Sequence, residues 1–184
     1  MKFEETSLTG SFVIDIDCME DERGWFARTY CKNEFKQIGF TDEWVQLNHS
    51  YTKNKGAVRG IHFQKFPFME IKLVRCIAGK VMDVIIDLRE NSTTFLQHCQ
   101  VELSAQNKKM IFIPHGFAHG FQCLDNDCEL LYHHSEYYKP GFEGGIRYND
   151  PLVNINWSEH ISDISDRDLT HPLLDNNFKG LKIK

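Results

Sequence analysis

A chain of 184 residues, 41% hydrophobic and 26% charged, is long enough for one domain with a sizeable core. Its 21 basic against 26 acidic residues leave a formal charge of −5, which excludes a general nucleic-acid binder because phosphate contacts need a surplus of cations. No stretch approaches the roughly 20 apolar residues that cross a bilayer, and MKFEETSLTG lacks the apolar run of an export signal, so a cytoplasmic chain without membrane contact is expected.

Taken in chain order, strand signals dominate. SFVIDI (11–16) is followed by the one helical piece, 33–38, where Asn33 can cap, Phe35 and Ile38 share a face, and Gly39 can end the turn. VRGIHFQ (58–64) reads as a core strand interrupted by polar residues. KLVRCIAGKVMDVIIDL (72–88) is long enough for two strands, with Ala78-Gly79-Lys80 as a hairpin loop between them. QVELSA, MIFIP, HGFQCL and CELLYHH continue the β pattern, and from about Ser158 the chain turns polar, with Ser165 able to cap a short turn and Pro172 forbidding a long helix. Many short strands without repeat or linker predict a single all-β domain over 1–184, a sandwich or barrel. The six cysteines (Cys18, Cys31, Cys76, Cys99, Cys123, Cys128) form no CxxC pair and read as reduced thiols; Cys123 and Cys128 flank a turn and could face each other across a hairpin, though a disulfide there is disfavoured.

The polar residues among apolar runs carry the functional signal. In an ideal strand Arg59 and His62 diverge to opposite faces; Gly60 can relax that geometry with a bulge or a close backbone approach, so a shared pocket is open to them but is not shown by the spacing. A lone His62 is commonly a satisfied interior histidine. Lys72, His119 and Tyr132 recur in the same kind of setting, and together with His62 they are the set that proton transfer needs: a base, oxyanion stabilisers and an acid. A metal reading competes, because GAVRGIHFQ with Glu70 and PHGFAH approach the two halves of a cupin metal site built on His62, Glu70 and His119. Gln64 stands where a second histidine belongs and is a poor transition-metal ligand, so no metal is expected.

With DERGWF (21–26), VQLNHS (45–50), VRGIHFQ, IKLVRCIAGKVMDVIIDLR (71–89), IPHGFAHGF (113–121), YYKP (137–140), GIRYNDP (145–151) and ISDRD (164–168), nearly the whole chain resembles the dTDP-4-dehydrorhamnose 3,5-epimerase family. The resemblance implies a cupin-like jelly-roll barrel with short peripheral helices, a homodimer, no cofactor, and inversion of carbons beside the 4-keto group of a nucleotide-linked 6-deoxy sugar. Carried over residue by residue, it makes His62 the base, Asp168 its carboxylate partner, Tyr132 the acid, and Lys72 with His119 the stabilisers of enolate charge. Arg23 and Arg59 match diphosphate contacts, Gln46 and Asn48 polar positions near nucleoside and sugar, and Phe26 and Tyr138 aromatics around the base. Arg28, Glu70 and the pair His133-His134 depart from the pattern, leaving CDP or GDP carriers as alternatives, and C3-only or C5-only inversion stays open because relatives with the same His, Asp and Tyr differ in which carbons they invert. A non-catalytic sugar-nucleotide binder is the alternative of another class.

Overall fold

The computed structural model describes residues 1–183. Thirteen strands account for the architecture: β1 (Lys2–Glu5), β2 (Phe12–Asp15), β3 (Cys18–Asp21), β4 (Gly24–Ala27), β5 (Gln46–Thr52), β6 (Val58–Gln64), β7 (Lys72–Ala78), β8 (Lys80–Asp87), β9 (His98–Ser104), β10 (Met110–Ile113), β11 (Phe117–Cys123), β12 (Cys128–His134) and β13 (Glu143–Gly145). Two four-residue helices complete it, α1 (Lys32–Phe35), continued by a 3₁₀ turn at Lys36–Ile38, and α2 (Asp166–Leu169). Among the described residues no helix is long and apolar enough to cross a membrane.

The strands form a six-stranded sheet in the order β1-β2-β10-β7-β12-β5, a five-stranded sheet in the order β13-β6-β11-β8-β9, and the separate hairpin β3-β4. Two antiparallel sheets facing one another make the cupin-like jelly roll. Between them lies a core including Val74, Cys76, Val81, Ile85, Ile111, Phe121 and Leu130. Each sheet also buries its outer face. Val84, Ile86 and Ile61 of the five-stranded sheet are covered by the C-terminal segment through Ile146, Val153 and Trp157, and Leu73, Met110 and Phe112 of the six-stranded sheet by Phe35 and Phe40. Burial on both faces explains why VMDVIID reads as an almost unbroken apolar run instead of an alternating one.

Three local expectations are corrected. The 72–88 run forms no hairpin: β7 and β8 lie in different sheets, so the turn at Gly79 (φ +68°) carries the chain from one wall to the other. Cys123 and Cys128 sit at a second such crossing, between β11 and β12, as free thiols. Asn33 caps nothing; Cys31 is the N-cap without a side-chain bond, and Asn33 Oδ1 instead accepts from Lys36 Nζ. Gly39 does end the turn, at φ +79°, and Ser165 caps α2 through Asp168 N–H at 3.2 Å.

The bulge at Gly60 is the local feature that matters most for the site. His119 pairs with His62 and Phe121 with Arg59, so the three-residue step on β6 faces a two-residue step on β11. That extra residue turns Arg59 and His62 toward one cavity. Gly60 has φ +109°, and a Cβ there would lie 2.7 Å from Gly120 Cα and 2.8 Å from the His119 carbonyl oxygen. Gly60→Ala is therefore expected to cost at least about 2 kcal/mol, lowering the midpoint of thermal unfolding by about 4–8 °C for a chain of this size, and to weaken whatever the cavity binds. Thermal melts followed by circular dichroism check it.

Candidate active site

The wall made by the five-stranded sheet carries two histidine–carboxylate pairs. His62, on β6, donates Nε2–H to Asp168 Oδ1 at 2.6 Å, a tautomer that leaves Nδ1 with its lone pair. Asp168 comes from α2, and its second oxygen accepts the Gly60 N–H at 3.1 Å, so the bulge and the helix hold the carboxylate together. Burial works against its ionisation, but the bonds and charge from His62, with Gly60 and Ser165, outweigh it and keep the carboxyl below its usual range. Across the ladder from His62, His119 donates Nε2–H to Asp83 Oδ2 at 2.8 Å. Asp83 is fully buried and its Oδ1 has no partner among the described residues. His171 flanks the first pair, its Nε2 lying 3.7 Å from Asp168 Oδ1 and its ring 5.9 Å from that of His62. Burial, reinforced by His62, keeps its ring below the usual histidine range.

The opposite wall belongs to the six-stranded sheet. Tyr132, on β12, shares a 2.8 Å hydrogen bond with Ser50 Oγ on β5. Burial pushes its phenol well above its ordinary value, so it stays protonated at neutral pH. Lys72 is buried, with Nζ 3.0 Å from Glu70 Oε1. Glu70 also pairs with His134 Nδ1 at 2.7 Å, and His134 Nε2 meets Asn48 Nδ2 at 3.2 Å. Burial alone would raise the Glu70 carboxyl, yet Lys72 and His134 bring it down to about 2. The Tyr132 ring stacks at 6.3 Å on His134 and meets the edge of His119 at 6.1 Å, where the two walls converge.

Between the walls is a cavity of about 820 Å³. His62, Lys72, His119, Tyr132, Asp168, Arg59 and Asn48 all line it. Arg59 bonds Thr52 Oγ1 and the Tyr51 carbonyl and has no carboxylate partner among the described residues, so its charge is available to a ligand. The other expected residues lie elsewhere. Gln46 sits at the rim, bonded to Asn48 and to Tyr138 N–H. Tyr138 is exposed, with its hydroxyl on Glu143. Arg23 and Phe26 are exposed on the β3-β4 hairpin, outside this chain's cavity, and Arg23 pairs with Asp21. Arg28 pairs with Glu34 on the surface.

The cupin-type metal set is not assembled. Gln64 spends its amide on the backbone of Phe68, Tyr137 and Lys139, and Glu70 is held by Lys72 and His134. Asp83 and Ser50, which hold His119 and Tyr132, and His171, which only borders the site, escaped the sequence reading. Asp83, a charge in the middle of an apolar strand, is a signal in itself, since a buried carboxylate demands a partner. Ser50 follows from alternation with Asn48 on β5. His171 follows from its i, i+3 relation to Asp168.

The Glu70 pairing has a measurable consequence for stability. Its folded pKa lies below the unfolded value near 4.5, so its contribution is complete above that value and is lost as pH falls toward 2. The difference corresponds to about 3 kcal/mol. Denaturant midpoints measured from pH 7 to 2 should fall along this limb for the native chain, and Glu70→Gln should both flatten the limb and lower stability at pH 7 by leaving Lys72 without its counter-ion.

Comparison with known proteins agrees with this geometry. The sequence model of the dTDP-4-dehydrorhamnose 3,5-epimerase family matches residues 5–176. The enzyme of that name from Salmonella typhimurium is 41% identical over 173 residues, 93% of this chain and 94% of its own, and that from Methanothermobacter thermautotrophicus is 39% identical over 181 residues, 98% and 95%. Among solved structures, the Bacillus anthracis epimerase with TDP and pyrophosphate bound superposes with a TM-score of 0.90 at 38% identity, covering 94% of this chain and 99% of that one. The Legionella pneumophila epimerase in complex with dTDP-4-keto-L-rhamnose gives 0.92 at 34%, covering 100% and 98%. The chain belongs to the dTDP-4-dehydrorhamnose 3,5-epimerase family, whose members are isomerases.

Proposed function

We propose that the chain inverts C3 and C5 of a dTDP-linked 4-keto-6-deoxyhexose by proton removal and return, with no resident cofactor. The observation that carries the reading is that His62, bonded to Asp168 of α2, stands on one sheet and Tyr132 on the other. A sugar ring held between two walls meets a base on one face and an acid on the opposite face. Carbons beside a ketone carry acidified protons. His62 Nδ1 takes the proton, the electron pair moves onto the C4 oxygen, and Lys72 stabilises the resulting enolate, with His119 in support when its ring carries both protons, Nε2–H on Asp83 and Nδ1–H toward the oxygen. Tyr132 then returns a proton to the other face, which inverts the centre. Asp168 orients the His62 ring and offsets the imidazolium charge while the proton is held.

The carrier reading rests on Arg59, a guanidinium without a carboxylate partner among the described residues and suited to phosphate contact, and on the nucleotides bound by the two relatives above. Asn48, with Gln46 behind it, would contact sugar or nucleoside. Arg23 and Phe26 would complete the nucleotide subsite only with a second copy of the chain, because they project on an exposed hairpin where Met19 and Trp25 are exposed too, whereas Tyr138 stands beside Gln46 of the same chain. We therefore propose a homodimer in which the hairpin of one chain reaches the cavity of the other. Arg28, engaged with Glu34, gives no reason to prefer a CDP or GDP carrier. Inversion at a single carbon is the second reading, because a 3'-monoepimerase from Streptomyces bikiniensis, 29% identical, shares the fold with a TM-score of 0.84.

Proton NMR of dTDP-4-keto-6-deoxyglucose in deuterated buffer tests the reading. The native chain should exchange the C3 and C5 protons, and His62→Asn should slow exchange by about a thousandfold or more while remaining folded. Tyr132→Phe should still allow proton removal but slow formation of the inverted product. Near-native exchange in folded His62→Asn would overturn the assignment of the base, and exchange at one carbon only would favour the monoepimerase reading.

A further inference from the structure

His171 has no part in the proton transfer, yet one of its ring nitrogens is buried beside the site without a hydrogen bond. Its Nε2 has no hydrogen-bond partner among the described residues and lies 3.7 Å from Asp168 Oδ1, the oxygen that His62 holds at 2.6 Å. A ring nitrogen of His62, a carboxylate oxygen of Asp168 and a ring nitrogen of His171 all lie within 4.8 Å of one another, and no other trio of histidine, cysteine, aspartate or glutamate among the described residues does so. Zinc binds imidazole nitrogen and carboxylate oxygen at about 2.0–2.2 Å, so three donors this close can converge on one ion after small side-chain shifts. The other Asp168 oxygen is anchored by the Gly60 N–H, and the His171 ring is packed so tightly against Gly145 that a Cβ there would lie 2.1 Å from Nε2. Two of the three ligands are thus already fixed, and His62 borders the open cavity, which leaves a fourth position for water.

We propose that His62, Asp168 and His171 form an inhibitory site for a borderline divalent cation, zinc above all, that switches the proposed base off. The ion would take the lone pair of His62 Nε2, and the single proton of the neutral ring would move to Nδ1. The nitrogen that faces the substrate then donates a proton instead of accepting one, and proton removal stops until the metal leaves. This set differs from the cupin arrangement of His62, Glu70 and His119, whose Glu70 is tied up on the opposite wall. Magnesium, which prefers oxygen ligands, should not bind here.

The inhibitory consequence rests on His62 acting as the base; the binding itself does not, and the two are read separately. Isothermal calorimetry with zinc chloride in a non-chelating buffer should show one ion per chain, and cobalt(II) should give the intense visible bands of a tetrahedral site. His171→Phe, which keeps a ring against Gly145 but has no nitrogen, and His62→Asn should each weaken zinc at least about tenfold. His171→Asn replaces the former if it fails to fold. Exchange by the native chain should be lost with zinc, unaffected by magnesium and restored by EDTA, whereas His171→Phe should keep its basal exchange and resist zinc. Equal zinc affinity in the native chain and either variant would overturn the site, and stoichiometric binding at the trio without loss of exchange would overturn its inhibitory role. Should the metal-free native chain show no exchange at all, the epimerase reading fails and calorimetry still decides the site.

Discussion

His62 and Asp168 are 106 residues apart in the chain and 2.6 Å apart in space, and most of what distinguishes this barrel from a plain β-sandwich serves to keep them there. The bulge at Gly60 rotates His62 toward the cavity and aims its own N–H at the second Asp168 oxygen. Helix α2, short as it is, presents Asp168 through the Ser165 cap. The C-terminal segment that supplies α2 is itself held to the outer face of the five-stranded sheet by Ile146, Val153 and Trp157. A histidine alone in the barrel would be free to rotate; one that donates to an anchored carboxylate has a fixed ring and a defined tautomer.

The division of the polar residues between two sheets has the same logic. Histidine–carboxylate pairs stand on the five-stranded wall, and the tyrosine, lysine and glutamate on the six-stranded wall, so opposed chemical roles fall on opposed faces of anything bound between. Apolar residues beneath the cavity lower the local dielectric, which strengthens the attraction between buried charges and makes each unpaired one costly. Lys72 is tolerable there because Glu70 accompanies it, and Glu70 because His134 shares the load.

Much of this could be read from the chain. Polar residues inside apolar strands pointed to a reactive interior, and Ser165 ahead of Asp168 announced the short capped turn that carries the carboxylate. What could not be read was which sheet each strand would join. The 72–88 run has the local pattern of a hairpin, and nothing in it shows that Gly79 sends the chain to the other wall, because that choice depends on β12 and β11 arriving as competing partners. Likewise, period-2 alternation sends Arg59 and His62 apart, and the bulge that unites them appears only in the pairing of β6 with β11, where Gly60 lies so close to Gly120 that a Cβ would not fit. Asn33 failed as a cap because the helix starts one residue before it, at Lys32.

Substituting Asp168 by asparagine and following deuterium uptake at the sugar's ring carbons, with the dTDP-linked keto sugar, tests the central claim most directly. Asparagine preserves the shape and can still accept from Gly60 but removes the charge that holds the imidazolium and fixes its tautomer. Uptake in a folded Asp168→Asn chain is expected to drop at least about a hundredfold below the native rate. Uptake at the native rate would mean that the carboxylate neither orients nor supports His62, and the account built on that pair would be wrong.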